Sequence, residues 1–155
     1  MRTYQSDRQW AERFMPAVKN IVGPRLLEPA PIEMDCDQAT DLIVLRALDI
    51  RIGVRVRDIA YHKRYGSQFT IRSKRDSGAR TELSKILSGW GDWLFYGFGD
   101  NESLVIPHWT IIDLAMFRAW FKRINAPEIP NGDGTHFVAF STASFPSWTF
   151  VDTSL

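Results

Sequence analysis

Apolar and polar positions along the chain alternate between two periods. From Ser6 to Val22 the apolar residues Trp10, Phe14, Val18 and Val22 recur every fourth position, and Met15 and Ile21 widen the stripe. That spacing predicts one amphipathic helix. Ser6 with Gln9 supplies a capping box at its start, and Gly23-Pro24 stops it. Prolines 29 and 31 mark a linker, followed by a short strand over Ile32–Cys36. Asp41-Leu42-Ile43-Val44-Leu45 is a short apolar run of the kind a strand buried on both faces shows. The period then becomes two. In Ile50–Arg57, Ile52, Val54 and Val56 alternate with Gly53, Arg55 and Arg57. In Gln68–Lys74, Phe69 and Ile71 lie opposite Thr70, Arg72 and Lys74. The polar stretch Asp58–Gly66 reads as a connection between these strands.

Further along, Thr81 caps a short helix to Leu87, with Leu83, Ile86 and Leu87 inward. Trp93–Phe98 is an aromatic strand, and Leu104–Ile106 is another short one. Thr110–Ile124 reads as a helix with Thr110 and Asp113 as a capping box and Leu114, Phe117, Phe121 and Ile124 on one face. Asn131–Gly134 is a turn, and strands follow at His136–Phe140 and Trp148–Val151. Interleaved helices and strands without repeats predict a mixed α/β (α+β) fold, with a central mixed sheet flanked by helices. At 155 residues the chain is the size of one domain, 1–155.

Composition narrows the function classes. No apolar run is long enough for a membrane span, and the first residues do not read as a secretory signal. The single cysteine, Cys36, forms no internal disulfide, which suits a reducing cytoplasm. His62, His108 and His136 fall at no zinc spacing and read as surface or turn residues. Arg outnumbers Lys by 14 to 5, and Arg is the better fork for phosphate. The net charge of +1 hides blocks: residues 1–25 carry +3, 26–41 carry −5, 42–80 carry +7 and 81–155 carry −4. An acidic segment directly before a basic one sets carboxylates suited to a metal beside cations suited to phosphate. The same blocks also fit solvated loops with surface ion pairs.

Three features bear on chemistry; no phosphate-loop, dinucleotide-binding or hydrolase signature is present. The first is Asp41 with Arg55 and Arg57. Strand alternation puts 55 and 57 on one face, where a metal-dependent nuclease holds carboxylates and a cation. The second is the segment from Thr70 to Glu82, whose Arg72, Lys74, Arg75 and Arg80 precede a helix start and suit phosphate. A solvated basic hairpin is its plain alternative. The third is the cluster Trp90, Trp93, Phe95, Tyr96 and Phe98, which reads first as sheet packing and second as a base-stacking surface.

The helix, then Ala39–Leu45, then Ile52-Gly53-Val54-Arg55-Val56-Arg57, resembles the core of the PD-(D/E)xK, or restriction-endonuclease-like, nucleases, nearest to their Mrr and Holliday-junction-resolvase types. The resemblance covers about residues 6–100, with 104–155 completing the domain, and consists of element order plus one Asp. It implies a Mg²⁺-dependent phosphodiesterase acting on nucleic acid, DNA foremost. In that scheme Asp41 would be a metal ligand and Arg57 would stand at the lysine position. Arg55 departs from the pattern, because the family has an acidic ligand there. Three readings stay open. The fold is kept without catalysis, leaving a module that binds nucleic acid or inhibits a host protein. A migrated carboxylate, from Glu12, Glu33, Asp35 or Glu82, completes the metal set. Or the likeness is accidental; an Asp41–Arg55 pair filling the site is what the non-catalytic module predicts. The resemblance further suggests a prokaryotic or viral source and leaves a homodimer open.

Overall fold

The computed structural model describes residues 4–29, 42–44 and 49–154. Asp41, Glu33 and Asp35, and the strand expected at 32–36, lie outside the described residues. The first helical stretch is two helices, α1 (Tyr4–Glu12) and α2 (Met15–Val22), rather than one. Pro16 explains the break: it has no N–H for the i−4 carbonyl, so it is accommodated in the first turn of a new helix. Phe14 stands at the junction, fully buried, with its ring 4.8 Å from that of Trp10. Gly99 admits this ring, since a Cβ there would sit 2.8 Å from Phe14 Cδ1.

Strand β1 (Leu27–Pro29) pairs antiparallel with β2 (Leu42–Val44), Glu28 opposite Ile43. This two-stranded ribbon is separate from the sheet that holds the next strand, β3 (Ile52–Asp58). The connection after β3 is more ordered than a plain polar loop. A 3-10 turn over Ile59–Tyr61 is capped by Asp58, whose Oδ1 accepts from Ala60 N at 2.9 Å, and α3 (His62–Tyr65) follows. Strand β4 (Gln68–Arg75), helix α4 (Glu82–Leu87) and strand β5 (Trp93–Gly99) come next.

The stretch 110–124 departs most from its sequence pattern. Residues His108–Asp113 form strand β6, and helix α5 spans only Leu114–Phe121. Asp113 is the N-cap, accepting from Ala115 N and Met116 N, rather than the third residue of a capping box. The run Thr110-Ile111-Ile112 is β-branched, and pairing with β5 on one side and the C-terminal strand on the other decides for strand. Residues 104–106 form no strand: Leu104 has φ 56 within a turn, and only Ile106 of the three is buried. Strands β7 (Glu128–Pro130), β8 (Thr135–Ser141) and β9 (Phe150–Thr153) complete the chain.

Among the described residues the strands make a four-stranded mixed sheet, β3-β5-β6-β9, and a three-stranded antiparallel sheet, β4-β8-β7. Only β3 and β5 run parallel. The fold is therefore mixed α+β, with two sheets where one was expected. β5 is buried along its whole length because each of its faces meets a core. Trp93 and Phe95 join Phe14, Val18 and Val22 under the N-terminal helices. Leu94, Tyr96 and Phe98 join Phe69 and Ile71 of β4, Val138 and Phe140 of β8, and Phe117 of α5. The aromatic strand is thus core packing. Trp90 is 60% exposed and lies outside both cores, and Leu87 is also turned outward.

Candidate nucleic-acid interface

The alternation of β3 decides what its arginines face. Val54 and Val56 pack toward α2, so Arg55 and Arg57 point to the opposite side, in register with Tyr96 and Phe98. A cleft of about 810 Å³ runs around the β3 edge of the sheet, lined by Val54, Val56 and α1 on one face and by Arg55, Arg57, β4 and α4 on the other. Among the described residues, seven cations line it (Arg8, Arg55, Arg57, Arg72, Arg75, Arg80 and Lys85) against four acids, Asp7, Glu12, Asp58 and Glu82.

β4 supplies Arg72 and Arg75 through an irregularity. The register with β8 slips between Arg72 and Lys74, leaving Ser73 as an extra residue. A bulge of one residue inverts the alternation beyond it. Arg75 therefore joins Arg72 on the cleft side, and Lys74 is exposed away from it. Of the four cations expected to meet phosphate, Arg72, Arg75 and Arg80 line the cleft and Lys74 does not. Period-two reasoning paired Arg72 with Lys74; the bulge pairs it with Arg75.

Two of the acids are already engaged. Glu82 opens α4 behind the Thr81 cap, whose Oγ1 accepts from Ser84 N while Thr81 N donates to Ser84 Oγ. Its Oε2 accepts from Arg55 Nη1 at 3.0 Å and from Arg72 N at 3.3 Å. Arg55 also donates to Thr70 O at 2.9 Å. Glu12 is held by Arg8 at 2.9 Å, one helical turn away. Arg57 reaches Thr70 Oγ1 at 3.5 Å and lies over the Tyr61 ring, 4.9 Å from its centroid. Arg80 donates to Ser88 Oγ at 3.2 Å, and Arg75 Nε is buried without a partner. Among the described residues, Arg57, Arg72, Arg75 and Arg80 have no carboxylate within ion-pairing distance.

Glu12 and Glu82, two of the carboxylates expected as metal ligands, are each paired with an arginine. Magnesium demands near-octahedral oxygen ligation. Among the described residues no three His, Cys, Asp or Glu side chains converge, and the guanidinium of Arg55 sits at the oxygen Glu82 would offer. Glu12 is likewise directed to Arg8.

Sequence reading missed Tyr61, Arg8 and Lys85 as cleft residues. Tyr61 stands in a segment with no apolar period, and Arg8 and Lys85 are ordinary exposed helix positions until the fold turns them together. It also missed the His62–His108 pair, whose rings stack 3.6 Å apart at 4°. Burial, and then the neighbouring His108, hold the His62 pKa below its usual 6.5.

No family model and no curated protein matches the chain. Among solved structures, a nuclease from a fusselovirus is similar at a TM-score of 0.35 and 12% identity, over 94% of this chain and 88% of that one. A likeness this loose assigns neither a site nor a reaction to the chain. No described helix is long and apolar enough to cross a membrane.

Proposed function

We propose that the chain binds nucleic acid, with the sugar-phosphate backbone lying in the arginine-lined cleft. One observation carries the reading: Arg57, Arg72, Arg75 and Arg80 share one cleft with no described carboxylate within ion-pairing distance, Arg72 acting on Asp133 only at longer range. Guanidinium groups gathered in this way repel one another and raise the local potential, and a polyanion relieves that repulsion. The planar fork of Arg suits phosphate oxygens better than the lysine point charge does. Glu82 tempers the site by neutralising Arg55, so the ion pair fixes the floor of the cleft and the four remaining arginines face the ligand.

Each phosphate contact contributes about 0.7 (single strand) to 0.9 (duplex) to the slope of log affinity against log salt. Four contacts make the affinity fall about 50- to 150-fold between about 50 and about 200 mM salt. The experiment is a salt titration of oligonucleotide binding by the full chain and by Arg72→Ala/Arg75→Ala. The expected result is a slope smaller by about 1.4 to 1.8 in the double variant. Absence of binding at low salt, or an unaltered slope, refutes the reading.

A cleavage assay with Mg²⁺ on linear, circular, branched and single-stranded DNA and on RNA addresses the hydrolytic alternative. A binding module yields no metal-dependent product. Cutting that disappears in Asp41→Asn would replace the binding reading with a nuclease whose ligands include Asp41.

A further inference from the structure

The cleft is not walled by cations alone. Tyr61 lines it with 48% of its surface exposed, and Trp10 and Phe137 line it from α1 and β8. Tyr61 is also held in place. Its 3-10 turn is fixed by the Asp58 cap, and the Arg57 guanidinium lies over its ring at 4.9 Å. The cation over the face restrains a ring that is otherwise free to turn. The result is a stationary aromatic plane beside cleft arginines.

An exposed aromatic ring beside phosphate-binding cations can stack on a ligand with a free π-face. In a duplex the base faces are buried against one another, and only edges and backbone are presented to a protein. In a single strand the faces are open, and proteins that hold single strands combine a cationic groove with aromatic rings. From this combination we infer that the cleft takes single-stranded nucleic acid, with one unpaired base stacked on the Arg57–Tyr61 pair and neighbouring phosphates on Arg72 and Arg75. The inference rests on the nucleic-acid reading of the cleft and adds the form of the ligand.

The test is fluorescence anisotropy at matched salt, with a short labelled mixed-sequence single strand and the same strand annealed to its complement. The proteins are the full chain, Tyr61→Ala, Tyr61→Leu and Tyr61→Phe. The single strand is expected to bind more tightly than the duplex. Loss of one stacked base lowers single-strand affinity about five- to 150-fold in Tyr61→Ala. Tyr61→Leu, which keeps bulk without a π-face, should show a similar loss and covers the case in which the alanine variant misfolds. Tyr61→Phe should bind as the parent does, and the salt slope should stay unchanged throughout, because no phosphate contact is removed. Equal affinity for single strand and duplex, or equal weakening of both by Tyr61→Ala, overturns the inference while leaving nucleic-acid binding in place. No binding to either ligand at about 50 mM salt overturns both.

Discussion

Replacing Glu82 by Gln separates the binding and the hydrolytic readings by the sign of its effect. The Glu82 carboxylate accepts from Arg55 at 3.0 Å and from the backbone N–H of Arg72 at 3.3 Å. Gln keeps an acceptor oxygen for both donors but removes the negative charge. The pair is partly exposed, with 26% of the Arg55 and 35% of the Glu82 side chain accessible, so the stability cost is about 0.2–1 kcal/mol. At the 155-residue size that is a fall in Tm of about 0.4–4 °C. The effect on binding runs the other way. Arg55 becomes a fifth arginine in the cleft without a described carboxylate within ion-pairing distance. One more phosphate contact adds about 0.7–0.9 to the salt slope, which is about five- to eightfold tighter binding at 0.1 M salt relative to 1 M. Anisotropy titrations at several salt concentrations read both affinity and slope, with thermal melts of the same samples beside them. If Glu82→Gln weakens binding, or leaves the slope unchanged, Glu82 is not a brake on a phosphate-binding cleft and the reasoning fails. If a metal-dependent cleavage exists and the same variant abolishes it, Glu82 is a ligand rather than the partner of Arg55.

Phe14→Ala removes a fully buried ring from the junction of α1 and α2 and should cost about 3–5 kcal/mol by chemical denaturation; a loss under about 1 kcal/mol would contradict its place in the core. Thr81→Ala deletes the cap of α4 and its bond to Ser73 O, and should cost about 0.5–2 kcal/mol while also weakening oligonucleotide binding through displacement of Glu82. The His62 pKa is lowered in the folded chain, so the unfolded chain binds more protons near and below 6.5, and the stability this group contributes is lost as pH falls through that range. Thermal melts from about pH 7.5 to about pH 5.5 should show that decline, and His62→Phe, which keeps an aromatic ring at the stack, should flatten it.

The limits of the sequence pattern fall where two elements must be known together. Alternation along β3 correctly put Arg55 and Arg57 on one face, because side-chain direction in a regular strand depends on nothing outside it. The Thr81 cap and the aromatic strand β5 were legible for the same reason: a capping threonine and an aromatic run are local signals, whereas the burial of β5 on both faces needs the elements packed against it. Arg75 was assigned to the phosphate site as one of four cations in the segment before a helix start, yet its place in the cleft depends on a bulge that only the partner strand β8 reveals. The strand His108–Asp113 reads as helix when Asp113 is taken as the third residue of a cap, and pairing on both sides overrides that pattern. The largest departure is the fate of Arg55. As a lone residue in the position of an expected carboxylate its setting is not legible, because its partner Glu82 lies 27 residues later, on another element. A cation paired with a carboxylate leaves the two groups neutral together. On that argument the arginine at position 55 is more than the loss of a ligand. It frames a cleft in which Arg57, Arg72, Arg75 and Arg80 bring the net charge, and Arg55→Ala should therefore harm nucleic-acid binding through a freed Glu82 anion rather than through a lost phosphate contact. The double variant Arg55→Ala/Glu82→Gln distinguishes the two: it should recover most of the binding lost in Arg55→Ala, and failure to recover would mean that Arg55 itself holds the ligand.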